Sequence, residues 1–222
     1  MDLPGFWLTR PPVSIGEHQP TFARLERQGR GSGVVHHTGT EPVWAFLCWL
    51  CEQRGYMAHG TGHEDISVFE PRQSDDVGWF GNRKAVYASS DGIWAMFYAV
   101  MNRQAVPMTI VNSAVTATID GHDRPLYFFG ASRAAVDGKA FRHGWVYLLP
   151  GQAFECEPDG EFAGMKCKSH HCASLEAVRP IFRVAVQPKD FPFLANIHAY
   201  DDDLLAEHSS RNPKGFPWID DI

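Results

Sequence analysis

Between Glu41 and Arg54 the chain reads Pro42-Val43-Trp44-Ala45-Phe46-Leu47-Cys48-Trp49-Leu50-Cys51. Val43, Leu47 and Leu50 fall on one helical stripe and Trp44, Cys48 and Cys51 on the next, so the helix is apolar around most of its circumference. Such a helix is buried rather than laid on a surface. The spacing predicts it from Thr40 or Glu41 to Arg54: Pro42 fits the first turn, where a missing N–H costs nothing, and Gly55 stops it. Gly55 then hands the chain directly to a short strand, Tyr56 to His59.

Downstream the apolar period changes repeatedly. Ala85 to Ala88 reads as a strand, Ser89 or Ser90 as a cap, and Asp91 to about Arg103 as a helix in which Ile93, Phe97 and Val100 keep helical spacing. Thr109 to Ile119 and Pro125 to Phe129 read as a hairpin turned at Gly121-His122-Asp123. Gly144 to Leu149 suits a strand buried on both faces, and Arg179 to Val186 is the last strand. The mixture predicts an α+β fold. Residues 1–40, rich in Pro, Gly and polar residues with one helical candidate from Thr21 to Gln28, read as an N-terminal arm or cap. Residues 41–199 read as the domain and 200–222 as a C-terminal tail. The long polar segment from Gly60 to Lys84 carries Phe69, Trp79 and Phe80, which favours a packed, functional loop.

With 222 residues, 44% of them hydrophobic, the chain is long enough for one substantial core. Its net charge of −6 is spread without any run of five or six like charges, which leaves no electrostatic footprint for nucleic acid or an anionic membrane. Neither a secretory leader nor a membrane-length apolar segment is evident, so a soluble, cytoplasmic protein is expected. Five cysteines at this size do not suggest a disulfide scaffold. Cys167, His170, His171 and Cys172 crowd four potential zinc ligands into six residues, and His36 and His37 precede Cys48 and Cys51. Neither set shows two cleanly spaced ligand pairs, and no metal is expected.

The familiar phosphate-loop, dinucleotide, metalloprotease and serine-hydrolase motifs are all missing. What remains is Tyr56-Met57-Ala58-His59-Gly60-Thr61, a strand ending in His-Gly-Thr, and Ala85-Val86-Tyr87-Ala88-Ser89, a strand ending in Tyr-Ala-Ser and followed by a helix. In that order, these residues resemble the His and Tyr motifs of the ADP-ribosyltransferase superfamily, on its poly(ADP-ribose)-polymerase-like side. That side carries His, Tyr and Glu on three successive core strands. The chain also resembles a group of uncharacterised bacterial proteins that share Phe-Glu-Pro-Arg-Gln-Ser, Ala-Val-Tyr-Ala-Ser-Ser-Asp-Gly-Ile-Trp-Ala and a closing Asp-Phe-Pro-Phe. The resemblance implies split, mainly antiparallel sheets around an NAD cleft with flanking helices.

It also implies roles. His59 would hold the adenosine-side ribose, donating from one ring nitrogen while backbone fixes the other. Gly60 would let the nicotinamide carboxamide approach the main chain, and Thr61 would support the turn. Tyr87, with Ala88 beside it, and Phe97 or Tyr98 would supply the aromatic face for the nicotinamide ring. Arg72 is a candidate for the diphosphate, its alternative being an ion pair with Asp75 or Asp76. The family's glutamate binds the ribose hydroxyl and stabilises an oxocarbenium-like cation. At its aligned position stands His171, with Glu176 the nearest carboxylate downstream and Glu161 upstream.

The expected activity is mono-ADP-ribosylation, with NAD as substrate and a protein, nucleic acid or small molecule as acceptor. A non-catalytic NAD or ADP-ribose binding module and a zinc-stabilised structural domain are the alternatives.

Overall fold

The chain folds as an α+β protein in which two mainly antiparallel sheets enclose helices; the computed structural model describes residues 3–74, 76, 78–162 and 165–219. In order, its elements are β1 (Leu8–Thr9), α1 (Ile15–Ser32), β2 (Val34–Val35), α2 (Val43–Arg54), β3 (Tyr56–Thr61), β4 (Arg72–Gln73), β5 (Lys84–Ser89) and α3 (Gly92–Val100). There follow β6 (Ile110–Ile119), β7 (His122–Ser132), α4 (Arg133–Asp137), β8 (Gly144–Pro150), β9 (Glu155–Cys156), β10 (Gly160–Phe162), β11 (Met165–Ser169), β12 (His171–Ser174), β13 (Phe182–Val186), β14 (His198–Tyr200) and α5 (Asp202–Arg211). Among the described residues one sheet runs β2-β13-β8-β3-β5-β12-β9, with β4 also on β5, and the other runs β1-β7-β6-β11-β10, with β14 on β7.

The buried helix forms where its pattern places it. Every residue of α2 from Val43 to Cys51 is buried, and Gly55, in the left-handed region at φ 69°, ends it. The next helix, α3, is shorter than expected. Asp91, rather than Ser89 or Ser90, caps it by accepting from Trp94 N–H, and Met101 leaves it to bridge Phe141. The β6–β7 hairpin turns at Asp120-Gly121, both with positive φ, so β7 begins at His122, where the sequence reading still had turn. Helix extends further than expected at both ends of the chain: α1 starts six residues before and ends four residues after the Thr21 to Gln28 candidate, and α5, capped by Asp201, forms within the tail.

α3 is wedged between the sheets. Its Phe97 ring lies 4.9 Å from Phe129 of β7, while Ala95 and Ala99 press on β3. The core here joins α2, α3, β3, β7, β8 and β13 with Phe191 and Phe193. A second, smaller core lies across the other face of the larger sheet, where Phe69 and Val178 cover Val86, Ala88, Tyr147 and Leu149.

Register fixes which side chains share a face, because residues directly opposite in a ladder project to the same side. Ala58 and His171 both oppose Ser89, and Ala173 opposes Tyr87. Tyr87, Ser89 and His171 therefore face the space between the sheets. His59, opposite Tyr147, faces away with Val86 and Ala88.

Candidate functional site: an aromatic cleft around His171

Strands β3 and β5 share one register pair, Ala58 with Ser89, and part beyond it. His59 sits at the parting. Its Nδ1 is 2.7 Å from the Tyr87 carbonyl, which can only accept, so Nδ1 carries the proton. Burial lowers the His59 pKa, opposed by that same carbonyl, and the ring is neutral. Nε2 is then an acceptor. The expectation that His59 donates to a ribose hydroxyl is corrected accordingly: the ribose O–H would have to be the donor. The His59 ring packs 4.6 Å from Phe69.

On the inter-sheet side, three aromatic rings surround His171: Tyr87 at 5.0 Å, Phe80 at 5.3 Å and Trp94 at 5.6 Å between centroids. The Tyr87 hydroxyl accepts from Arg83 N–H and donates to the carbonyls of Phe80 and Arg83, tying the 80–83 turn over the strand. From α3, Trp94 Nε1 and the Tyr98 hydroxyl, one helical turn apart, both donate to Asn112 Oδ1 of β6. This is how the second sheet reaches the cleft. His170, on the link between β11 and β12, joins the sheets by bonding Ser90 Oγ with Nδ1 and Thr116 Oγ1 with Nε2, at 2.8 and 2.9 Å.

A carboxylate stands beside His171, from a residue the sequence reading passed over. Glu157 Oε2 lies 4.0 Å from His171 Nδ1 and accepts from Ser169 Oγ at 2.8 Å. Burial lowers the His171 pKa, with Glu157 and Asp76 opposing and Arg83 adding to the fall. The imidazole is neutral at pH 7, with the carboxylates of Glu157 and Asp76 and the Arg83 guanidinium acting on it. The signal for Glu157 was the preceding residue. Cys156 and Cys172 are joined as a cross-strand disulfide between β9 and β12, a single bridge where no disulfide scaffold was expected, and it brings the residue after Cys156 alongside the residue before Cys172.

Other expected site residues lie elsewhere. Phe97 is fully enclosed among Phe129, Phe191 and Tyr98, so neither face is open to a ligand, whereas its neighbour Tyr98 shares the Asn112 acceptor with Trp94, which does touch His171. At Gly60 the space a Cβ would fill is taken by α3: it would come within 2.8 Å of Ala95 C and 2.9 Å of Ala99 N, and closer still to the Ala95 carbonyl oxygen. Glycine is required there by helix packing, whatever else its backbone does. Thr61 Oγ1 accepts from His63 N–H within the turn, and Ala88 is buried on the His59 face. Arg72 is exposed on β4 opposite Ala85; of its two alternative partners, Asp75 lies outside the described residues. Glu176 is exposed beyond the far end of β12, its N–H donating to Ser174 Oγ, and does not approach His171. Glu161 belongs to β10 in the other sheet.

The four suspected zinc ligands do not converge. Cys172 is in the disulfide, His170 bonds two hydroxyls, His171 faces Glu157, and Cys167 is buried in the core of the smaller sheet. Cys48, Glu52 and Asp91 do bring ligand atoms within 4.8 Å of one another. Arg10 already occupies the role of the cation there. Its guanidinium donates to Glu52 and Asp91 and to the Tyr127 hydroxyl, which itself donates to Asp91 at 2.8 Å. Burial, then Asp91, pushes the Cys48 thiol well up, so it stays protonated beside the Arg10 cluster. Among the described residues no helix is long and apolar enough to cross a membrane.

The class defined by these observations is an α+β protein of two mainly antiparallel sheets with aromatic rings gathered around His171 between them. No protein-family model, no curated protein and no solved structure matches the chain.

Proposed function

We propose that the inter-sheet cleft binds NAD and that the chain transfers ADP-ribose from it to a single acceptor site, releasing nicotinamide. One observation carries this reading: His59, Tyr87 and His171 lie on β3, β5 and β12, three adjacent strands of one sheet in that order. It is the order in which the resembled superfamily arranges His, Tyr and Glu. Tyr87, Trp94 and Tyr98 offer π faces to a cationic nicotinamide ring, an attraction that weakens as the ring departs neutral. As the bond breaks, positive charge grows on the ribose. A neutral His171 does not oppose it, and Glu157 supplies the negative field that the glutamate supplies in that superfamily.

The test is direct. Protein incubated with NAD labelled in the nicotinamide should release labelled nicotinamide, and NAD labelled in the adenylate should label an acceptor in lysate. Neither signal from folded, full-length protein discards transfer. A second reading, NAD or ADP-ribose binding without turnover, is favoured by the imidazole standing on β12 where a carboxylate is expected, and by His59 facing away from Tyr87 and His171. It predicts a rise in melting temperature with NAD and no nicotinamide release, the rise being lost in His59→Ala where the dinucleotide reaches the His59 face of the sheet.

A further inference from the structure

The Cys156–Cys172 bridge links the residue before Glu157 to the residue after His171. Strand β9 is two residues long, lies at the edge of its sheet and, among the described residues, pairs with β12 alone. Just past it the chain leaves for β10 in the other sheet, so Glu157 stands on a crossover rather than inside a regular element. Besides the bridge, two hydrogen bonds hold it: its N–H to the His171 carbonyl at 2.8 Å, and Ser169 Oγ to its carboxylate. So short an edge strand has little ladder of its own to keep it in place.

We propose that the disulfide is the positioning element of the Glu157–His171 pair: closed, it holds the carboxylate at the imidazole, and opened, it lets the pair separate and the cleft lose its negative group. The consequence for NAD rests on the reading of the cleft above; the coupling of Glu157 to His171 does not.

Opening is a two-electron reduction by a dithiol. Cys156 is the exposed residue of the bridge and Cys172 is fully buried, so the reductant's thiolate attacks Cys156 Sγ. The S–S bond breaks with its electron pair on the Cys172 sulfur, which takes up a proton. The reductant's second thiol then displaces Cys156 as a thiol and closes its own disulfide. Cys48, Cys51 and Cys167 are buried and do not resolve the intermediate.

The experiment compares oxidised protein, protein treated with dithiothreitol, protein reoxidised afterwards, and Cys156→Ser. It follows the His171 imidazole by NMR titration and NAD by isothermal titration. In the oxidised form, Glu157→Gln should lower the His171 midpoint, because Glu157 opposes the effect of burial. Reduction and Cys156→Ser should each lower it to the value in Glu157→Gln, reoxidation should restore the wild type, and Cys156→Ser should no longer respond to dithiothreitol. NAD affinity should fall about tenfold in step, the scale of losing a charge-assisted contact. A His171 midpoint that is the same in reduced, Cys156→Ser and oxidised protein overturns the proposal. If oxidised protein binds no NAD yet its His171 midpoint still moves with redox state, the positioning stands and the reading of the cleft falls. Should Cys156→Ser fail to fold, reversible reduction of the wild type decides alone.

Discussion

Gly60→Ala separates two explanations of the same residue. If Gly60 serves a ligand's approach, an added methyl group leaves the fold intact and removes binding. The structure predicts the opposite order of effects. The new Cβ would lie 2.8 Å from Ala95 C and 2.9 Å from Ala99 N, inside the helical hydrogen bond that joins those residues. Neither end of α3 can retreat. Asp91 caps its start and is itself held by Arg10 and Tyr127, and Met101 beyond its end bridges Phe141. Phe97 behind the contact is packed against Phe129 and Phe191. Overpacking of one methylene costs about 1–3 kcal/mol where side chains can shift, and a backbone obstacle puts this case at about 3 kcal/mol or more. That raises the unfolded fraction about a hundredfold and, at roughly 2–4 °C per kcal/mol for a chain of this length, lowers Tm by about 6–12 °C. Calorimetry without ligand, with the urea midpoint as a second measure, reads the effect. A Tm within about 2 °C of wild type, with NAD binding abolished, would refute the packing explanation.

Phe97→Ala should cost about 3–5 kcal/mol as a large core cavity, whereas Tyr98→Ala should spare stability by comparison and reduce NAD affinity; a reversal of this order in paired melting and titration data removes Tyr98 from the cleft. Arg10→Leu should destabilise by about 3 kcal/mol, because it leaves Asp91, whose side chain is 0% exposed, as an uncompensated buried charge. The urea midpoint measures this, and a loss under about 1 kcal/mol would mean that Arg10 is not the counter-charge. Burial pulls the pKa values of His59, His170, His171 and His198 down. Their folded values lie below the unfolded value of about 6.5, so as pH falls the unfolded chain takes up protons first. Stability should be untouched above about pH 7 and drop from about pH 6.5 downwards; urea midpoints that rise on acidification would contradict these directions. His171→Glu should preserve or raise nicotinamide release if the cleft needs negative charge, and an inactive but folded variant would assign the imidazole a role of its own.

The parts of the fold that were legible are those in which one segment carries its own signal. The all-round apolar α2 with Gly55 behind it, the β6 stretch and the buried β8 each announce their period locally. Strands β9 to β12 do not, because they are short and polar. Met165-Lys166-Cys167-Lys168 alternates buried and exposed as a strand should, but over too few residues to stand out from a loop. In the site, His59, Tyr87 and His171 are visible as residue types, and they stand on β3, β5 and β12, which are neighbours in the sheet. Glu157, Trp94 and Asn112 are not visible, since each reaches the cleft through long-range pairing. A disulfide brings in the first, a helix face turned by one position the second, and the opposite sheet the third.

That difference bears on what the His-Gly-Thr strand can be taken to mean. A strand points successive side chains to opposite faces, so His59 and Gly60 cannot both address one pocket through their side-chain positions. Here Gly60 is spent on α3, and His59 is turned toward Phe69 with its proton committed to Tyr87. Among the described residues, β3 and β5 share the one register pair Ala58 and Ser89 and part beyond it. A dinucleotide that used His59 and the Tyr87–His171 face together would have to cross the sheet there. It would therefore compete with the His59 Nδ1 hydrogen bond to Tyr87. NAD bound in this way should release the His59 tautomer, changing its ring 15N shifts, whereas a ligand confined to the inter-sheet cleft should leave His59 unperturbed and shift His171 alone.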